Sequence, residues 1–297
     1  MTALYPFNPG QIGCQIGSSS NAGCGGNMKR IIMTLAALTV AGGLVTEVRA
    51  ETRDFTVDVS DYAAERELEI DVELSLPAGR KTWPVVFVLH GCDGITRFSA
   101  PTLKKRAAFY RDRGFATVIL DSWRPRGIDN VCTPGAADTA LYLDPVNRIS
   151  DIEAVTSHIA TLDGFDGRIV VDGLSHGGWT ALSILSSPGD EPLQAEVAGI
   201  VVWYPPCGIV DATHRTPTLI FSGGKDAHPA INPQACVEEG ERYGWVETVL
   251  FKNATHAFDY SYTGPSGGPS GFIRHDAQAT HEAYLRLEDW LKEQGLP

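Results

Sequence analysis

Positive charge is what this sequence has least of: 24 Lys and Arg stand against 36 Asp and Glu over 297 residues, a formal net charge of −12. Such a deficit argues against binding nucleic acid or an anionic membrane surface. The apolar stretch Ile31–Val45 is too short to span a bilayer comfortably, so no stable membrane insertion is expected. Neither a C-x-x-C nor an H-E-x-x-H spacing occurs, so nothing points to a bound metal. Internal repeats and a second domain are also missing. What remains is 43% hydrophobic and 20% charged residues, ordinary for a soluble globular chain. Residues 51–297 are long enough for one α/β domain with a substantial core.

The N-terminus reads as something other than that domain. Residues 1–27 are rich in Gly, Ser, Asn and Gln without periodicity and are expected to be disordered, or an over-extended reading frame with Met28 as the true start. Lys29-Arg30, the apolar stretch and then Val48-Arg49-Ala50 follow Met28 in the order of a secretory signal over residues 28–50. Cleavage after Ala50 predicts a periplasmic or secreted protein with four cysteines. An even count in an exported chain suggests two disulfides, for which three pairings exist. Cys92–Cys132 with Cys207–Cys236 is preferred, because each pair would join loops that follow neighbouring strands. Free buried thiols are the alternative.

Along the rest of the chain, apolar and polar residues alternate in Asp54–Ser60 and Glu67–Leu76, as in a two-stranded antiparallel ribbon. Continuous apolar runs at Trp83–His90 and Phe115–Asp121 predict buried strands. Helices are expected at Leu103–Arg113, from Asp144-Pro145 to about Leu162 with Asp144 as N-cap, at Pro233–Tyr243 and at about His275–Glu293. Further strands are expected at Gly199–Tyr204, Thr216–Ser222 and Val246–Phe251. This alternation implies right-handed βαβ units, hence an α/β fold with a mostly parallel sheet and helices on both faces. Ser261–Gly271 reads as a flexible loop.

The stretch Ile169–Trp179 carries the chemistry. A β-branched run is followed by Gly173-Leu174-Ser175-His176-Gly177 and then by helix formers. That is G-x-S-x-G in the strand–turn–helix context that lifts a serine hydroxyl above a sheet edge. Gly264–Gly268 matches the same pattern but lies in a loop with no strand before it. A serine needs a base, and the base needs an acid to fix its tautomer. In open α/β sheets these groups gather at the strands' carboxyl ends. That rule selects Asp226, after Ser222-Gly-Gly-Lys, and His256, after the last strand. Asp211, Asp259 and Glu247 are the rival acids, and His228 and His281 the rival bases. The backbone N–H groups of Cys92 and His176 are the expected oxyanion hole. Arg124 and Arg126, on a loop at the same edge, could pair with a substrate carboxylate, or could form structural ion pairs.

Together, His90-Gly-Cys-Asp-Gly94, Asp121–Gly127, Gly173–Gly178, Gly224-Lys-Asp226 and His256-Ala-Phe-Asp259 resemble the dienelactone hydrolase family of α/β-hydrolases, over about residues 51–290. The resemblance implies an eight-stranded sheet and a nucleophile–Asp–His triad that works without metal or organic cofactor. Dienelactone hydrolases proper use a cysteine nucleophile in the cytoplasm, whereas the position here is Ser175 in a chain that reads as exported. The expectation is therefore a monomeric serine hydrolase of small-molecule esters or lactones. The alternatives are a serine peptidase resembling the prolyl oligopeptidase family, and an exported binding protein with a relic triad.

Overall fold

Strand β3, Trp83–Leu89, is buried at every position, as its unbroken apolar sequence demands. It lies near the centre of an eight-stranded sheet in a computed structural model that describes residues 51–132, 141–186, 193–208, 214–266 and 270–297. The predicted signal and the rival acid Asp211 fall outside the described residues. The remaining strands are β1 (Thr52–Asp61), β2 (Arg66–Ser75), β4 (Ala116–Leu120), β5 (Phe165–Leu174), β6 (Glu196–Trp203), β7 (Thr218–Gly223) and β8 (Val246–Phe251). Their order is β1-β2-β4-β3-β5-β6-β7-β8. Antiparallel pairing is confined to β1 with β2 and β2 with β4; every other neighbour is parallel.

Because side chains alternate across a strand, β3 feeds two cores. Val85, Phe87 and Leu89 point to one, with Ile152, Val155 and Ile159 of α2 (Val146–Ile159) and Leu182 of α3 (His176–Ser183). Val86 and Val88 point to the other, with Leu103 and Tyr110 of α1 (Ala100–Arg111) and Leu287 and Leu291 of α5 (Ala277–Glu293). Helix α4 is Pro233–Arg242, its Asn232 cap accepting the Gln234 N–H at 3.1 Å.

Local chemistry explains where element ends depart from the sequence expectation. Helix α1 begins three residues early, at Ala100, because Pro101 is tolerated in a first turn. Helix α2 ends at Ile159 rather than Leu162. Its N-cap position is Pro145, not Asp144; the Asp144 carboxylate instead accepts the Val146 N–H at 2.9 Å. The expected loop Ser261–Gly271 contains β9 (Gly264–Pro265), which pairs with β10 (Phe272–Ile273), just past the loop's end, in a two-residue antiparallel ladder.

Both preferred disulfides are present, Cys92–Cys132 and Cys207–Cys236. Cys236 sits on helix α4 rather than on a loop. The bridges close 40- and 29-residue separations, for which chain entropy alone predicts about 3–4 kcal/mol each. Replacing Cys207 and Cys236 by Ala is therefore expected to lower Tm by roughly ten degrees. Scanning calorimetry checks this, and an unchanged Tm would contradict it.

Candidate active site

Strand β5 delivers the candidate nucleophile. It runs into Ser175, whose φ of 50° and ψ of −111° are strained for a residue with a Cβ. The turn closes so tightly that a Cβ on Gly173 would stand 2.1 Å from the Gly177 carbonyl oxygen, and one on Gly177 2.6 Å from that of His90. Only glycine fits at either place. Helix α3 starts directly at His176, earlier than the helix formers from Trp179 suggest.

Strands β7 and β8 supply the other two groups. After β7 the chain turns through Gly223-Gly224, and the side chain of Asp226 is fully buried. After β8 comes His256. Its Nδ1–H donates to Asp226 Oδ2 at 2.6 Å, which leaves Nε2 to accept the Ser175 hydroxyl proton at 3.1 Å. Asp226 Oδ1 accepts the His228 N–H at 2.9 Å, so both carboxylate oxygens are engaged. Ser175 and His256 are 7% and 6% exposed, nearly dry yet reachable. Two of the rivals lie elsewhere: Glu247 pairs with Arg286, and His281 is exposed on α5.

A buried scaffold that the sequence did not suggest ties the residue after the serine to the end of β3. Arg148 on α2 donates to His176 Nδ1 and to the His90 carbonyl, both at 2.9 Å. Its guanidinium always donates, so His176 carries its proton on Nε2 and gives it to the Leu143 carbonyl at 2.9 Å. Burial, with Arg148 beside it, lowers His176 to about 3 and keeps the imidazole neutral. One arginine thus fixes both the loop after β3 and the residue after the serine. His90 is a packed residue, its Nδ1–H on the Gly91 carbonyl at 2.7 Å. Cys92 and Cys132 both line the cavity, so their disulfide forms part of its wall.

A second buried arginine holds the histidine loop. Arg106 on α1 donates to Asp172 at 2.8 Å and pairs with Asp259, three residues after His256. Tyr110 donates to Asp172 at 2.7 Å and Tyr204 to Asp259 at 2.8 Å. Burial works against the Arg106 charge, and the two carboxylates outweigh it. The Tyr204 ring meets His256 edge-on at 4.8 Å between centroids, while the His228 ring stacks on His256 at 5.1 Å. His228 is therefore half-buried beside the site, and burial lowers its pKa. Of these groups Asp172 left a trace in the sequence: a carboxylate inside a β-branched strand requires a buried partner.

Arg124 and Arg126, for which a substrate contact and structural ion pairs were the alternatives, both stand beside carboxylates. The short 3-10 turn Arg124–Arg126 points the two in different directions. Arg126 is buried and bidentate on Asp151, at 2.8 and 2.9 Å. Arg124 is exposed and lies 3.5 Å from Asp121. Neither lines the cavity of about 370 Å³ that opens on Ser175 and His256. Its wall is instead built from Asp93, Phe98, Asp129, Tyr260 and Tyr262, among others.

A parallel sheet with helices on both faces and a serine on a strained strand-to-helix turn defines the α/β-hydrolase architecture. The sequence matches the dienelactone hydrolase family over residues 70–295, and the chain belongs to that family. No curated protein matches it. Among solved structures it is similar to a dienelactone hydrolase-like promiscuous phosphotriesterase from metagenomic libraries. That likeness has 20% identity and a TM-score of 0.62, covering 82% of this chain and 98% of the other. Esterase 2 of Thermogutta terrifontis, phosphorylated by paraoxon, is 18% identical with a TM-score of 0.53, covering 83% and 94%. A putative dienelactone hydrolase from Klebsiella pneumoniae is 17% identical with a TM-score of 0.52, covering 81% and 99%. At these identities the likeness concerns the fold.

Replacing Arg106 with Met would strand two buried carboxylates, and the expected loss is about 3–5 kcal/mol. Urea unfolding measures it; a loss below about 1 kcal/mol would show that the pairs hold nothing together.

Proposed function

We propose that the protein is an exported serine hydrolase that cleaves a carboxylic ester or lactone through an acyl-enzyme. The observation that carries this reading is the continuous hydrogen-bond path from Ser175 Oγ through His256 to Asp226. Family membership supports the reaction class, and the two disulfides are compatible with export. Among the described residues no helix is long and apolar enough to cross a membrane.

In the proposed reaction His256 Nε2 takes the Ser175 proton as Oγ bonds to the substrate carbonyl carbon. The backbone N–H groups of Cys92 and His176 receive the developing oxyanion. Each such donor is typically worth ~2.7–4 kcal/mol in the transition state. The tetrahedral intermediate collapses, and the leaving alkoxide takes the proton from His256. Water, deprotonated by the same nitrogen, then attacks the acyl carbon and releases the acid with Ser175 restored. Asp226 remains ionised throughout, stabilising the imidazolium.

Ser175→Ala is expected to lower kcat for p-nitrophenyl acetate by on the order of 10⁴-fold or more, with an unchanged circular dichroism spectrum. A fluorophosphonate probe should label the wild type and not the variant. Turnover at the wild-type rate in Ser175→Ala would exclude this assignment.

A further inference from the structure

We propose that the cavity selects esters carrying a positive charge, as an ammonium or quaternary ammonium group. The inference rests on the serine-hydrolase reading and deepens it by assigning the charge of the substrate. Two carboxylates, Asp93 and Asp129, stand on the wall, and among the described residues no Lys or Arg lines it.

Asp93 is the better placed of the two. A Cβ built on Gly91 would lie 3.1 Å from Asp93 Oδ1 and 3.6 Å from Ser175 Cβ. The carboxylate and the candidate nucleophile therefore flank one small volume that the bare glycine leaves open. Thr96 Oγ1 donates to Asp93 Oδ2 at a long 3.4 Å, and among the described residues no ion pair reaches this carboxylate. Burial raises it to about 6, with its own backbone N–H and the field of His256 opposing the shift, so the carboxylate form gains over the acid as pH rises through 6 to 7. A partly buried charge held this weakly retains part of its desolvation cost. A cationic group in the cavity would offset that cost; an anionic one would add to it.

The rest of the wall favours the same ligand. Phe98, Tyr260 and Tyr262 present aromatic rings, whose faces attract ammonium and quaternary ammonium groups. Phe98 already carries the Arg97 guanidinium, 4.6 Å from its centroid. The net charge of −12 raises the local concentration of cations around the whole molecule. The arginines that could have received a substrate carboxylate are turned elsewhere, onto Asp151 and Asp121.

Three thioesters of matched size test the proposal, all read by thiol release: acetylthiocholine, its uncharged isostere S-(3,3-dimethylbutyl) thioacetate, and anionic S-acetyl-3-mercaptopropanoate. For the wild type the kcat/KM order is expected to be cationic, neutral, anionic, with at least about tenfold between the first two. In Asp93→Asn the cationic-to-neutral ratio is expected to fall to within about twofold of unity. Both substrates see the same preparation, so the ratio cancels any loss of folded protein. A wild-type ratio at or below one overturns the proposal, as does a ratio that survives in Asp93→Asn. A wild type that fluorophosphonate labels but that turns over none of the three also overturns it, because a cavity fitted to the cation would accept acetylthiocholine. Failure to label overturns the serine-hydrolase reading instead.

Discussion

A single guanidinium, that of Arg106, faces two carboxylates in a region without solvent, and the rest of the site depends on that balance. One positive charge cannot neutralise Asp172 and Asp259 together, so the remaining negative charge is spread over hydrogen bonds from Tyr110 and Tyr204. The contacts join α1, the end of β5, the residue after β6 and the loop that carries His256. Four segments distant in sequence thereby acquire one common reference point. The Arg106 guanidinium also lies 3.8 Å from the Trp203 ring centroid, so the cluster is seated on the aromatic core as well as bonded within itself. Ordinary apolar packing would tolerate small slides between these segments; charged pairs with fixed partners do not.

That reference point makes local backbone strain sustainable. Ser175, Tyr204 and Ala257 all have positive φ, at 50°, 43° and 51°, and each stands where a strand has just ended or beside His256. Such conformations persist only where their surroundings over-determine them. Ser175 is pinned by its N–H on the Trp203 carbonyl and by the glycine-only contact beneath it. Tyr204 is pinned at both ends, its N–H on the Phe221 carbonyl and its hydroxyl on Asp259. The strain sits in the residues that aim the hydroxyl and shape the wall.

Most of the architecture was legible because hydrophobic periodicity writes it locally. The β-branched runs at β3, β4 and β5, and the strand β8 with its ends as expected, record burial directly. Ser175, Asp226 and His256 were legible for a topological reason: each follows a strand, and all strand ends of a parallel sheet open on one edge. What escaped was set by distance across the fold. Arg148 and Arg106 lie on helices and look like surface charges until His90 and Asp172, 58 and 66 residues away in sequence, are in place. For Arg126 the sequence left a substrate contact and a structural ion pair both open, since a loop position at the right edge says nothing about which way a side chain turns. Helix ends were displaced where Pro101 and Pro145 shifted the first turn.

The Cys92–Cys132 bridge makes the finished pocket a product of oxidation as well as of folding. One half of the bridge is the residue next to Gly91 and the other lies in the segment after β4, so the sulfur–sulfur bond reinforces the hydrogen bond from the Val131 N–H to the Cys92 carbonyl that already joins these two stretches of wall. In a thiol-rich compartment the same polypeptide would hold its serine, imidazole and carboxylate beneath a rim joined there by that backbone bond without the covalent one. Maturation of the binding face is thereby tied to the redox surroundings the chain meets.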